Sequence, residues 1–445
     1  MTVRMFRDAD EGRAFIMSRR DMGTSELSPR MREGVRSLFG EDLSADEVVT
    51  RILHDVRTHG DEAVREYTQK IDGVDLGDVR VSDAEIVDAL ESVPEDIQKA
   101  LCFAADRIRR FHEKQHIDSW IDFGPEGGLG QLVRPLDRVG VYAPGGTAPY
   151  PSSLLMTAIP ARVAGVEDVI VCAPPERNGQ VAPITVVAAH IAGVKDVYKI
   201  GGAQAIGAMA YGTGTVRRVD KILGPGNIFV VLAKRKVFGT VDIDALPGPT
   251  ETMVLADHTA SVELCAADML AQAEHDQMAS AIMVTTSQSL ADAVSSELDR
   301  QLQLLDREAI ARESLDNNGA IIVADTLQQS FDVANAYAPE HLCLLIESPW
   351  DHIASVRHAG GIFIGESSPE VVGDYTAGPS HVMPTGGTAR FSSPVNVGDF
   401  LKIISVIGLN ETGLRQVGPK AAVIARAEGL TAHAEAVEKR LANLK

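Results

Sequence analysis

A chain of 445 residues, 45% hydrophobic and 23% charged, is long enough for two or three folded domains and has the balance of a globular protein. Its net charge of −20 repels phosphate backbones and anionic membranes, so neither nucleic acid nor a membrane is an expected partner. The four cysteines, Cys102, Cys172, Cys265 and Cys343, stand far apart with no CxxC pair, which excludes a disulfide framework and a thiolate zinc site.

Residues 1–42 lack the apolar run of a signal peptide, carry no motif and read as an N-terminal helical arm. No apolar stretch of about 18 residues follows anywhere, so the expectation is a cytoplasmic protein. Ser44-Ala-Asp-Glu47 and Ser82-Asp-Ala-Glu85 are capping boxes. Val48, Ile52 and Val56 recur every fourth residue after the first, and Ile86 and Leu90 after the second, so the region to about Gln131 reads mostly as helix.

From Val139 the rhythm changes. Short β-branched runs at 139–143, 169–173, 197–200 and 221–223 alternate with helical segments at 153–164, 183–192, 204–211 and 228–237. A second set of strands follows at 252–255, 282–285, 320–324, 342–346 and 361–364, with helices from about Val262, Ser289, Leu327 and Trp350. Such alternation is the signature of parallel sheets built from βαβ units. Residues 377–396 are rich in Gly, Pro, Ser and Thr and read as a long functional loop. A strand at 403–409 and helices near 412–427 and 432–444 complete a tail too short to be an independent domain.

The expected fold class is therefore α/β, with two Rossmann-like parallel-sheet domains, a helical N-terminal region and a small C-terminal tail module. Residues 139–240 make the Rossmann-like cofactor domain. Residues 43–138 together with 241–385 make the first α/β domain, and 386–445 the tail.

Four segments offer chemistry. Gln272 and His275, three apart near the end of the helix from Val262, can point at one ion. Glu340 and His341 meet at a strand edge, where diverging side chains can serve an alcohol and a water separately. Asp374 and His381 lie in a glycine-bearing loop after a strand, and Glu428 and His433 in the tail, with Thr431 as an N-cap. Each also has an ordinary reading: a solvated helix end, a polar loop, a turn residue, a first-turn histidine. Gly145-Gly146, Gly201-Gly202 and Gly224-Pro-Gly226 each follow a strand and precede a helix, where backbone amides bind phosphates. None fits GxGxxG, so a nicotinamide cofactor does not follow from these turns alone.

Taken in order, Val141-Tyr-Ala-Pro-Gly-Gly146, Gly201-Gly-Ala-Gln-Ala205, Gly224-Pro-Gly-Asn227, Ala271-Gln-Ala-Glu-His275, Ala338-Pro-Glu-His-Leu342, Gly378-Pro-Ser-His381 and Leu430-Thr-Ala-His433 resemble the histidinol dehydrogenase family from about Leu43 to His433. The resemblance implies one Zn2+ per subunit on Gln272, His275, Asp374 and His433, and a catalytic pair Glu340 and His341. It implies NAD contacts at Tyr142, Gln204 and Asn227. Substrate contacts are implied at Thr250, His381 and Glu428, beside His341 and the metal ligands. Thr250 stands where the family commonly has Ser, which keeps the hydroxyl. It further implies a homodimer with shared active sites and a two-stage oxidation of L-histidinol through L-histidinal to L-histidine.

Within that reading His341 takes the alcohol proton and Glu340 activates a water for the second stage. A related dehydrogenase of another small alcohol, such as a sulfopropanediol, is the nearest alternative. The Glu428 carboxylate favours an ammonium and repels a sulfonate. A metal-dependent hydrolase and a metal-stabilised binding protein are the readings from other classes.

Overall fold

The structure is a computed structural model that describes residues 3–20, 27, 29–145 and 149–444. Gly146, the last residue of the first glycine-bearing motif, lies outside them.

Two parallel sheets dominate. The first has five strands, ordered in space Asp196–Lys199, Asp168–Ala173, Arg138–Tyr142, Lys221–Leu223, Asp242–Ile243. The second has six, ordered Arg4–Phe6, Ala320–Val323, Ser280–Thr285, Glu251–Ala256, His341–Leu345, Gly361–Ile364. All of their pairings are parallel. Leaving out Arg4–Phe6, each sheet reads 3-2-1-4-5 in its own chain order, the doubly wound arrangement. The duplication expected from the sequence is thus a repeat of topology. Strands covered on both faces read as continuous apolar runs, and Met253, Val254, Leu255, Met283 and Val284 are accordingly buried.

Three expectations are corrected. Residues 1–42 are not only a helical arm: Arg4–Phe6 pairs with Ala320–Val323 as the edge strand of the larger sheet. The helix Ala9–Arg20 then lies against that strand and the helix Leu327–Tyr337, where a Cβ on Gly12 would come within 2.8 Å of Ile322. Second, the helices of residues 43–138 pack chiefly on 139–240, and reach 241–385 where the Arg107 guanidinium donates to the carbonyls of Thr376 and Ala377. The helices Ala45–His59, Asp83–Ser92 and Glu95–His112 lie on Gly202–Tyr211, Pro183–Ile191 and Pro151–Val163, so they cover the five-stranded sheet. Their apolar stripes join its core, with Val49, Ile52 and Val56 among Ile206, Met209 and Val230. Third, the helical reading to Gln131 fails past His112, where the helix Glu95–His112 ends. Trp120–Gly124 and Gly127–Pro135 form an antiparallel hairpin, and Leu401–Leu409 pairs along the whole of its second strand. A helix at Glu308–Asn318 was also unanticipated.

Both capping boxes form as read, at Ser44 with Glu47 and Ser82 with Glu85. The tail's helices Glu411–Ala427 and Thr431–Ala442 pack on each other beside the three-stranded sheet.

Residues 244–250 carry the chain from the carboxyl end of Asp242–Ile243 into the amino end of Glu251–Ala256. The carboxyl edge of the first sheet therefore leads to the amino edge of the second. The segment after Asp374 ties the halves together there, since Ser380 Oγ donates to the carbonyl of Met156 at 3.0 Å.

Candidate active site

The catalytic pair sits where the helix Leu327–Tyr337 turns into the strand His341–Leu345. Ala338 ends the helix in the left-handed region at φ 52°, and Pro339 restricts the next step. That places Glu340 just before the strand and His341 as its first residue, opposite Thr252 on one side and Gly361 on the other. Both side chains are buried. They do not diverge as expected: His341 Nδ1 lies 3.8 Å from Glu340 Oε2.

Glu340 Oε2 accepts from the Thr250 hydroxyl and, at 3.0 Å, from the Glu251 amide. Burial pushes its carboxyl up to about 7, against those two hydrogen bonds. Glu251 is pushed to about 7 as well, by burial, with Arg20 opposing and Glu340 adding to the rise. The Arg20 guanidinium reaches Glu251 at 3.2 Å from the N-terminal helix. Burial lowers the His341 imidazole below its ordinary range, with Asp374 opposing, so the ring is neutral near pH 7. Its buried Nε2 has no hydrogen-bond partner among the described residues and lies 3.9 Å from Asp374 Oδ1.

Around this ring stand three of the four expected metal ligands. Gln272 is in the last turn of Val262–Ala273, fully buried, with Oε1 accepting from Thr252 at 2.9 Å and Nε2 unpartnered. His275 falls past the helix end, in a turn closed by its amide on the Gln272 carbonyl, so the pair is not a helical i, i+3 face. His275 as a residue is exposed, while desolvation of its ring, and then the nearby His341, lowers its pKa. Asp374 belongs to the short helix Glu370–Tyr375 rather than to a loop, with its carboxyl raised to about 6 by burial.

His381 bridges the two halves. Its Nδ1 lies 2.6 Å from the Asp374 carbonyl and its Nε2 2.9 Å from Ser153 Oγ. A neutral ring satisfies both, donating from Nδ1 and accepting at Nε2, in keeping with a pKa pushed down to about 4 by burial.

The fourth ligand is elsewhere. Glu428, which caps the helix Glu411–Ala427, and His433, in the first turn of Thr431–Ala442, are exposed on the tail. Leu430, not Thr431, is the N-cap. Among the described residues no three His, Cys, Asp or Glu side chains are placed to hold a metal ion.

The cofactor positions gather at the carboxyl edge of the five-stranded sheet. Its strand order reverses between Arg138–Tyr142 and Lys221–Leu223, and there Gly224, at φ 118°, brings its backbone so close that a Cβ would lie 2.1 Å from the Tyr142 carbonyl. Tyr142 Oη accepts from the Gly202 amide at 3.1 Å. Gln204 is fully buried, yet neither amide atom has a partner among the described residues. Asn227 Oδ1 caps the helix Ile228–Val237, accepting from the amides of Phe229 and Val230. Beside them a cavity of about 360 Å³ is lined by Gly145, Pro174, Arg177, Thr185 and Asp72, whose Oδ2 is also unpartnered.

The reading from sequence missed Glu251, Thr252, Arg20, Ser153 and Glu370. Glu370 stands four residues before Asp374, the spacing of one helix face, which is the only local signal that could have found it.

The histidinol dehydrogenase family model matches residues 39–441. A histidinol dehydrogenase of Deinococcus radiodurans is 54% identical over 409 residues, covering 92% of this chain and 93% of its own. One of Heliobacterium mobile is 50% identical over 404 residues, covering 90% and 95%. The crystal structure of histidinol dehydrogenase from Elizabethkingia anophelis superimposes with a TM-score of 0.90 at 34% identity, covering 99% of this chain and 98% of that one. With a doubly wound sheet pair, a buried Glu–His couple and orphaned amides at the expected positions, this chain belongs to the histidinol dehydrogenase family.

Proposed function

We propose that the protein oxidises L-histidinol to L-histidine through L-histidinal with NAD+, as a zinc-dependent homodimer. The observation that carries this is the buried Glu340–His341 couple, one member neutral with a free Nε2 and the other titrating near neutrality. Two bases of different strength suit two proton transfers.

In the first stage His341 Nε2 takes the hydroxyl proton of the alcohol while hydride departs from the carbon that bears the hydroxyl. In the second stage Glu340, ionised, takes a proton from the water that adds to the aldehyde, and the resulting hydrate anion collapses to the acid as it loses a second hydride. Two NAD+ molecules, bound in turn, would each accept one hydride; Tyr142, Gln204 and Asn227 would hold them, and the Gln204 amide, without a partner among the described residues, fits that role. Thr250 fixes the Glu340 carboxylate through its hydroxyl. His381 contacts substrate only by exchanging its bond to Ser153.

The donor set of Gln272, His275 and Asp374, all oxygen or imidazole nitrogen, fits zinc, and the unpartnered end of the Gln272 amide would offer the ion its carbonyl oxygen after a half turn of the amide group. His433 would complete the set, and the ion would supply a fixed charge that orients the substrate's nitrogen donors.

His433 and Glu428 reach the cluster only from a second subunit in this reading. The surface that carries them supports it. Phe123, Ile407, Val423 and Ile424 are 78%, 74%, 68% and 60% exposed on the hairpin and tail, an apolar face that water alone covers in one chain. Exchange of such an arm between identical subunits buries it at low cost.

The test is NADH formation from L-histidinol and from a sulfopropanediol, before and after chelation, with metal analysis of the same samples. Loss of activity on chelation and recovery with zinc is expected, with histidinol preferred. Hydrolysis of esters or amides without NADH formation would refute the reading.

A further inference from the structure

Thr252, Gln272 and Glu370 form a chain of polar groups with almost no exposure: 0%, 1% and 1%. They come from three elements, the strand Glu251–Ala256, the helix Val262–Ala273 and the helix Glu370–Tyr375. The Thr252 hydroxyl lies 2.9 Å from Gln272 Oε1 and closer still to Glu370 Oε2. The remaining end of the Gln272 amide, Nε2, is buried without a partner.

A hydroxyl carries one proton, so Thr252 cannot donate to both oxygens. Two arrangements resolve this. If Glu370 donates to Thr252, the Thr252 proton passes to Gln272 Oε1, and a nitrogen is left at the unpartnered end. If Glu370 accepts, Thr252 offers Gln272 only lone pairs. The amide then turns by half about its last bond, Nε2 donates to Thr252, and Oε1 occupies the unpartnered end. A divalent cation takes an amide oxygen and not an amide nitrogen.

We propose that Thr252 and Glu370 are positioning residues whose hydrogen-bond polarity turns the Gln272 carbonyl oxygen toward a bound divalent cation. The proposal rests on Gln272 as a metal ligand, as read above. His341 belongs to the same set, with Nδ1 3.5 Å from the Thr252 hydroxyl, so the relay adjoins the imidazole that handles the substrate proton.

The experiment measures zinc affinity of the full-length protein, stripped of metal and titrated against a chromophoric chelator. It compares wild type with Thr252→Ser, Thr252→Val, Glu370→Gln and Gln272→Ala, and records the visible spectrum of each cobalt-loaded form. Thr252→Ser keeps the hydroxyl and retains wild-type affinity. Thr252→Val and Glu370→Gln weaken zinc by roughly 10- to 100-fold, the usual loss when a ligand's outer partner is removed. Glu370→Gln does so although it preserves shape, because its NH2 group can donate to Thr252 and send the Thr252 proton to Gln272 Oε1. Their cobalt bands shift, while those of Thr252→Ser do not.

Wild-type zinc affinity in both Thr252→Val and Glu370→Gln, with affinity lost in Gln272→Ala, would overturn the relay and leave Gln272 as a ligand. Equal losses in Thr252→Ser and Thr252→Val would also overturn it, since the hydroxyl would then be irrelevant. Wild-type affinity in Gln272→Ala would overturn the metal reading itself.

Discussion

Replacing Glu340 with Gln should stabilise the protein and disable it at once. The carboxyl is pushed from an ordinary 4.5 to about 7 by burial. At about 1.4 kcal/mol per pH unit, ionising it in the fold costs up to about 3 kcal/mol at pH 8. The sign follows from proton binding. Below pH 4.5 the group is protonated both folded and unfolded, and nothing is lost. As pH rises from 4.5 toward 7, the unfolded chain releases the proton first, so stability falls, and it levels off above about 7. Gln matches the shape, and its Oε1 can still accept from Thr250 and from the Glu251 amide, though a neutral acceptor gives up about 1 kcal/mol. Removing this charge also relieves Glu251, whose own rise is partly due to it. The net expectation is a gain of about 1–3 kcal/mol at pH 8 and none at pH 4.5. Urea unfolding of both proteins at the two pH values, at equal metal content, measures it. A variant that gains no more at pH 8 than at pH 4.5 would refute the argument from buried charge. Oxidation starting from histidinal should slow more than oxidation starting from histidinol. Equal losses would reject the division of labour between Glu340 and His341.

Wild-type turnover should climb with pH through about 7 as Glu340 ionises, and a kcat/KM profile flat from pH 6 to 8 would contradict this assignment. His275→Ala should lose zinc and activity together; full zinc occupancy in the purified variant would remove His275 from the ligand set. Mixing His433→Ala with His341→Ala protein and allowing subunit exchange should restore activity, because one site in each heterodimer then carries neither defect. No recovery despite verified exchange would reject the crossover of the tail. Gly224→Ala combines a positive φ with a Cβ 2.1 Å from the Tyr142 carbonyl, so it should cost more than about 1 kcal/mol and weaken NAD+ binding; unchanged melting and cofactor affinity would count against the crossing drawn at the strand reversal.

What the sequence determined by itself is what neighbouring residues determine. The strands Lys221–Leu223 and Gly361–Ile364 and the helix Ile228–Val237 fall where their apolar runs and caps put them. Each is short and bounded by turn residues, so its pattern survives without knowledge of its partners. The capping boxes at Ser44 and Ser82 likewise close within four residues. The candidate ligands and bases were legible as motifs, through resemblance more than spacing.

What only the tertiary structure decided is pairing between distant segments. Three residues at Arg4–Phe6 carry no strand signal until Ala320–Val323 offers an edge, and the 120–135 hairpin is completed by Leu401–Leu409. Helical stripes at Val49 and Val56 say that a face is buried, not which sheet buries it. The site follows the same rule. Thr252 meets His341 because two parallel strands share a register, and Glu370 meets Thr252 because a helix returns across the sheet's amino edge. Burial then raises Glu340 and lowers His341, and burial is a property of everything packed around a residue rather than of its sequence neighbours.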